Sequence, residues 1–188
     1  MSKPSTSMDV AFSASVKQVQ TERGSRAGYQ RVADHGGFAT EADDDLRAFL
    51  ATADTAFLAS ANAAGQPYVQ HRGGAPGFIE VVDDHTLAIE ERRGNHQFIT
   101  HGNLRDNPRV CLLVIDYAHK RRVKVWGTAR VDGDKLVLSI TAWDSNCPKY
   151  IPHKLDAAAV ADALAVRDRR IAELERELAA LHATRKPG

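Results

Sequence analysis

The stretch TAFLAS (55–60), PYVQHR (67–72), GFIEVV (77–82) and TLAIEE (86–91) decides the fold: four β-rich segments follow one another with only ANAAGQ, GGAP and DDH between them. Short runs of this kind, bounded by Gly, Pro, Asn and Asp, read as strands and turns. Three more follow, RVCLLVIDY (109–117), RVKVWGTARV (122–131) and KLVLSITAW (135–143), the last two joined by the hairpin signal Asp132-Gly133-Asp134. Seven strands so closely spaced predict a small antiparallel barrel, whose closure would leave no open sheet edge. Between the fourth and fifth, GNHQFITHGNL (94–104) sets Phe98, Ile99 and Leu104 at irregular helical spacing and predicts a short helix crossing one end.

On the N-terminal side, Thr40 precedes a carboxylate-rich turn (Glu41, Asp43, Asp44, Asp45). Leu46, Phe49 and Leu50 then fall at helical spacing, which predicts an amphipathic helix from Thr40 to Ala51. Residues 1–20, rich in Ser, Thr and small side chains, read as a flexible arm. After Pro152 the composition shifts to Ala, Leu and paired charges, with Leu164, Ile171 and Leu178 seven apart and Leu174 and Leu181 offset by three. This is a long terminal helix, whose narrow stripe either docks on its own barrel or pairs with a partner subunit. The expected organisation is an arm (1–20), a β domain with N-terminal helices (21–152) and a C-terminal helix with its tail (153–188).

With 188 residues, 43% hydrophobic and 26% charged, the chain has the material for one full core plus appendages. Its 25 basic and 24 acidic residues give a formal charge of +1, too little to steer it to nucleic acid or an anionic membrane, so any anion must be held locally. Two cysteines make no disulfide framework, and residues 1–20 hold no apolar run of signal-peptide length; a cytoplasmic protein is expected. No Walker loop is present, and GGAPG (73–77) runs from strand to strand rather than into a helix, which excludes a Rossmann or P-loop site. The eight histidines form no HExxH, so no metal is expected.

Three segments could carry chemistry. In QHRGG (70–74), Arg72 stands at a strand end before two glycines, which suits either an anion and flat-ring site or an exposed arginine before a turn. In RRGNH (92–96) two arginines, an amide and an imidazole open the short helix, which is either a phosphate-binding helix start or a solvated turn. In HKRRVKV (119–125), Lys120, Arg122 and Lys124 alternate along one strand face, either solvated or with Arg122 touching a ligand.

In chain order, GSRAGYQRV (24–32), FLASANAAGQPYVQHRGGAPGFIEVVDDHTL (57–87), Arg93-Gly94-Asn95, Gly102-Asn103-Leu104, Asn107-Pro108-Arg109-Val110, KVWGTARV (124–131) and AWDSNCPKYI (142–151) resemble the pyridoxamine 5'-phosphate oxidase-like, FMN-binding split-barrel family. The resemblance implies a mainly β fold with flanking helices, a six-stranded antiparallel split β-barrel that forms a homodimer with FMN in clefts between the subunits. It implies that Gln70, His71, Arg72 and Gly73 line the flavin and reach its phosphate, and that Ile89 and Glu90 are contact positions of a neighbouring strand. Asn95 and His96 fall where the family often has an Arg or Lys pair on the phosphate, which leaves Arg72 and Arg93 to balance its charge. Arg122 lies near a ring-facing position, and the Asn146-Cys147-Pro148 corner closes the cleft.

The oxidase itself has a C-terminal tryptophan and a basic substrate-phosphate motif; no tryptophan follows Trp143 here, so vitamin B6 oxidation is not the expected reaction. The resemblance implies an FMN-dependent oxidoreductase acting on a small molecule. The other reading is a non-enzymatic protein of the same fold that binds or senses flavin, deazaflavin or haem. No residue is singled out as a catalytic acid or base.

Overall fold

The computed structural model describes residues 6–92, 94–145 and 148–184. A 3-10 turn (Ser7–Val10) and three helices, α1 (Ala14–Glu22), α2 (Arg26–Asp34) and α3 (Asp44–Ala51), precede strands β1 (Thr55–Ala61), β2 (Pro67–Gly73), β3 (Ile79–Asp83) and β4 (Thr86–Glu90). After α4 (Ile99–Asp106) come β5 (Arg109–Asp116), β6 (Arg121–Asp132), β7 (Lys135–Ser145) and the long α5 (Ala157–Thr184). The chain divides into two compact units, one running to Asp116 and resuming over Arg121–Tyr150, the other made of Tyr117–Lys120 and the chain from Ile151. No helix among the described residues is long and apolar enough to cross a membrane.

All seven expected strands form, in one antiparallel sheet of order β2-β1-β5-β6-β7-β4-β3. Two expectations are corrected: the sheet has seven strands rather than six, and it is not closed, since β2 and β3 end the order without pairing. The cause lies between them. Gly74 N–H donates to the Asp54 carbonyl (3.0 Å) and Gly77 N–H to the Ala53 carbonyl (3.1 Å), which ties the β2–β3 connection to the end of α3 and leads β3 away to pair with β4. At Gly77 the chain takes φ +83°, a conformation that favours glycine.

β6 and β7 are the longest strands and join the two halves, pairing with β5 on one side and β4 on the other. Their register shifts between Trp126 and Gly127, a bulge that bends both strands. The core fills the concave side with alternate residues: Ala56 and Leu58 of β1, Leu112 and Val114 of β5, Val123 and Val125 of β6, Leu136 and Leu138 of β7, and Leu87 and Ile89 of β4. α3 adds Leu46, Phe49 and Leu50 to it.

α3 starts later than the sequence suggests. Asp43 is its N-cap, its carboxylate accepting the Leu46 N–H (2.9 Å), while Ala39 bridges to Trp143 and the Glu41 carbonyl accepts from Trp143 Nε1 (2.7 Å), which keeps residues 39–41 out of the helix. The expected flexible arm is corrected over its described residues, 6–20. Met8 is 1% exposed, and Ser7 Oγ donates to the Phe38 carbonyl (2.8 Å). Phe12 meets Tyr29 and Phe38 edge-on, and Phe38 stacks on Trp126 with centroids 5.4 Å apart. Aromatic burial offsets the ordering entropy that the small residues alone could not.

A Cβ added at Gly127 would lie 2.1 Å from the Ser139 carbonyl oxygen, backbone that cannot swing aside. Gly127→Ala is therefore expected to cost about 1–3 kcal/mol and lower the melting temperature by roughly 2–10 °C, measured by scanning calorimetry.

Candidate functional site

Alternation along β2 sorts its residues onto two faces. Ala56 pairs with Arg72, Leu58 with Gln70 and Ser60 with Tyr68, so Tyr68, Gln70 and Arg72 share the concave face with the core, while Val69 and His71 turn to the convex one. α4 lies over this end of the sheet, held by Asn103 Nδ2 donating to Ser60 Oγ (3.0 Å) and Thr100 Oγ1 donating to Gln70 Oε1 (2.7 Å).

Arg72 is only 8% exposed. Its Nη2 donates to Gln70 Oε1 (3.1 Å), and its Nη1 lies 2.5 Å from Glu91 Oε1 in an ion pair without hydrogen-bond alignment. The other Glu91 oxygen sits 3.1 Å from His101 Nε2. Five residues of β2, α4 and the chain leaving β4 thus share one partly buried polar network. Arg72 Nε has no hydrogen-bond partner in it.

Over this network opens a cleft of about 460 Å³, lined by Tyr68, Gln70, Glu91, Arg92 and the segment from Gly94 to His101. The size and the mixture of aromatic and polar groups are those of a small-molecule site. His96, Phe98 and His101 form a row of rings meeting edge-on, with centroids 5.6 and 5.4 Å apart, and Phe98 is 60% exposed. His96 (φ 62°) and Phe98 (φ 51°) both adopt left-handed backbone, which is costly for a bulky residue. Phe98 occupies the N-cap of α4 without a side-chain cap, so the helix presents an uncapped first turn at the cleft.

Of the residues expected in a site, Gln70, Asn95 and His96 line this cleft, and Arg72 lies behind Gln70. Gly73 and Glu90 line a smaller neighbouring cleft of about 240 Å³, which shares Arg92 with the first. Ile89 is in the core. His71 is on the convex face with its ring edge against Phe57 (5.6 Å). Arg122 pairs across to Ile115, on the strand face opposite Val123, with its Nε buried and unpartnered. Arg93, Asn146 and Cys147 lie outside the described residues. The helix expected to open at 94–96 begins at Ile99.

The sequence reading missed Tyr68, Glu91, Thr100 and His101. Parity would have found Glu91: Leu87 and Ile89 face the core, so the next inward position after β4 is Glu91, not Glu90. A buried arginine also requires a carboxylate nearby.

Residues 42–176 match the family model for pyridoxamine 5'-phosphate oxidase. The chain belongs to the pyridoxamine 5'-phosphate oxidase family. No curated protein matches it. Similar solved structures include HupZ of Group A Streptococcus (TM-score 0.44, 15% identity, covering 55% of this chain and 92% of that one). An FAD-binding protein of Mesorhizobium loti matches with TM-score 0.41 and 18% identity over 54% of this chain and 91% of that one. HutZ, the haem storage protein of Vibrio cholerae, matches with TM-score 0.36 and 15% identity over 53% and 89%. Among the described residues of this family member, no group of three His, Cys, Asp or Glu is placed to hold a metal ion.

Removing one partner of a buried pair strands the other's charge. Glu91→Ala is expected to cost about 3–5 kcal/mol in urea unfolding, and the Arg72→Leu/Glu91→Leu double variant to recover most of it. On the convex face, Cys111 is half-buried between Ala59 and Trp126; burial pushes its thiol above the usual range, with Lys124 opposing in part. The folded state therefore favours the protonated thiol, which adds stability below the unfolded-state pKa and loses it as the pH rises past that value. At pH 8 Cys111 should alkylate more slowly in the folded chain than in urea, as read by peptide mass spectrometry.

Proposed function

We propose that the chain is an FMN-binding flavoprotein and an oxidoreductase acting on a small molecule, with the flavin nucleotide held in the 460 Å³ cleft. The observation that carries this reading is the donor set converging there. The uncapped first turn of α4, the Arg92 guanidinium and the amides of Gln70, Asn95 and Gln97 offer donors for a phosphate and for the heteroatoms of a flat ring. Tyr68 and Phe98 offer apolar surface for such a ring. The Arg72 charge is met by Glu91 in a nearly buried pair, whereas Arg92 is exposed and held by a solvent-exposed pair with Glu90 (3.3 Å) that an incoming anion can replace.

When bound, FMN supplies hydride or electron transfer through its ring. The protein's part is to orient the ring against the Tyr68–Phe98 side, to hold the phosphate end at α4 and to keep His101 fixed by Glu91 beside the cleft. The imidazoles of His96 and His101 in the same cleft support a second reading, haem binding.

The absorption spectrum of the purified protein separates the two: flavin bands support the first reading, and a Soret band lost in His96→Ala or His101→Ala supports the second. Within the flavin reading, Arg92→Ala is expected to weaken FMN binding by roughly 10- to 150-fold, the loss of one charge-assisted phosphate contact. Arg130→Ala, whose side chain pairs only with Asp132 among the described residues, should leave it unchanged in flavin fluorescence titration.

A further inference from the structure

Every described side chain of α5 is exposed, although the helix carries an apolar stripe. With Leu164 at heptad position a, Ile171 and Leu178 also fall at a, and Val160, Leu174 and Leu181 at d. From Leu164 onward the five large apolar residues of this seam are 42–64% exposed. A strict a/d stripe with a 3.5-residue repeat is narrower than the face a helix turns to a globular core, and it fits another helix of the same pitch.

The charges beside the stripe identify that helix. Positions g hold Arg170 and Glu177, and positions e hold Asp168, Glu175 and His182. In a parallel, in-register pair each g residue faces the e residue five positions on, so Arg170 meets Glu175 of the partner subunit and Glu177 meets His182 of the partner subunit, each twice by symmetry. An antiparallel pair that keeps the stripes in contact matches Arg170 with Glu177 of the partner subunit but sets Asp168 against Glu175 of the partner subunit. Charge complementarity therefore selects a second copy of this chain, in parallel. Arg167 is the exception at d; its charge is met by Asp168 at 3.2 Å, and one charged layer lowers the strength of a seam while fixing its register.

We propose that α5 is a homodimerisation helix, pairing with α5 of a second copy as a parallel, in-register coiled coil. This stands apart from the flavin reading and survives its failure.

The test uses the full chain in a Cys111→Ser/Cys147→Ser background with one cysteine restored on α5, at Leu178→Cys on the seam or at Arg176→Cys on the opposite face. A disulfide forms only where the two α-carbons approach within about 7 Å. Under mild oxidation the Leu178→Cys chain should give a linked dimer at least about tenfold faster than the Arg176→Cys chain. Equal rates would overturn the proposal. It would also fall if Leu178→Cys failed to link to itself but linked to an Arg167→Cys chain, the signature of antiparallel pairing.

Discussion

The ion pair between Arg72 and Glu91 spans the gap that the sheet's hydrogen bonds leave open. β2 and β4 lie near opposite ends of the strand order, and no ladder runs between β2 and β3 to close it. Side chains do at this seam what backbone does elsewhere. Two charges withdrawn from water gain little unless their other donors and acceptors are met; Gln70 and His101 supply part of that, with Thr100 tied to Gln70, while Arg72 Nε stays without a partner. Four of these five residues, all but Arg72, stand at the wall of the larger cleft, so the stability of the open seam and the shape of the site are one property.

The rest of the β domain follows from how the two halves are joined. β6 and β7 are long enough to pair with β5 on one flank and β4 on the other, and the bulge at Gly127 bends them so that both halves wrap the same core. The convex face keeps half-buried apolar residues, and at Trp126 it is covered by Phe38, with Phe12 and Tyr29 behind it. That cover puts the N-terminal segment in the fold rather than on a tether.

Hydrophobic alternation made the strands legible: all seven stand within about two residues of their sequence-based bounds, and α3 and α5 were readable from their periodicity, although α3 starts at Asp44 rather than at Thr40. Closure was not legible, because it depends on two backbone hydrogen bonds from Gly74 and Gly77 to the chain after α3, which no pattern in the strands announces. The site was half legible. QHRGG drew notice as a contiguous motif, but a strand divides contiguous residues between two faces, so Gln70 and Arg72 enter the network while His71 goes to the convex side. Thr100 and His101 were hidden because their helix begins three residues after the segment expected to open it.

The left-handed backbone at His96 and Phe98 shows why cleft and network belong together. Two bulky residues in that conformation store strain that the loop's own few contacts, such as Gln97 N–H to Asn95 Oδ1 at 3.2 Å, do not repay. What holds them is immediately downstream: Thr100 is tied to Gln70 and His101 to Glu91, so the first turn of α4 is fixed at two points and the loop leading into it has to close on that anchor. The loop in turn sets Phe98 at the N-cap, where a polar side chain would otherwise satisfy the helix amides, and so leaves them facing the cleft. The strain, the uncapped helix and the buried ion pair are three consequences of anchoring α4 across an unclosed sheet.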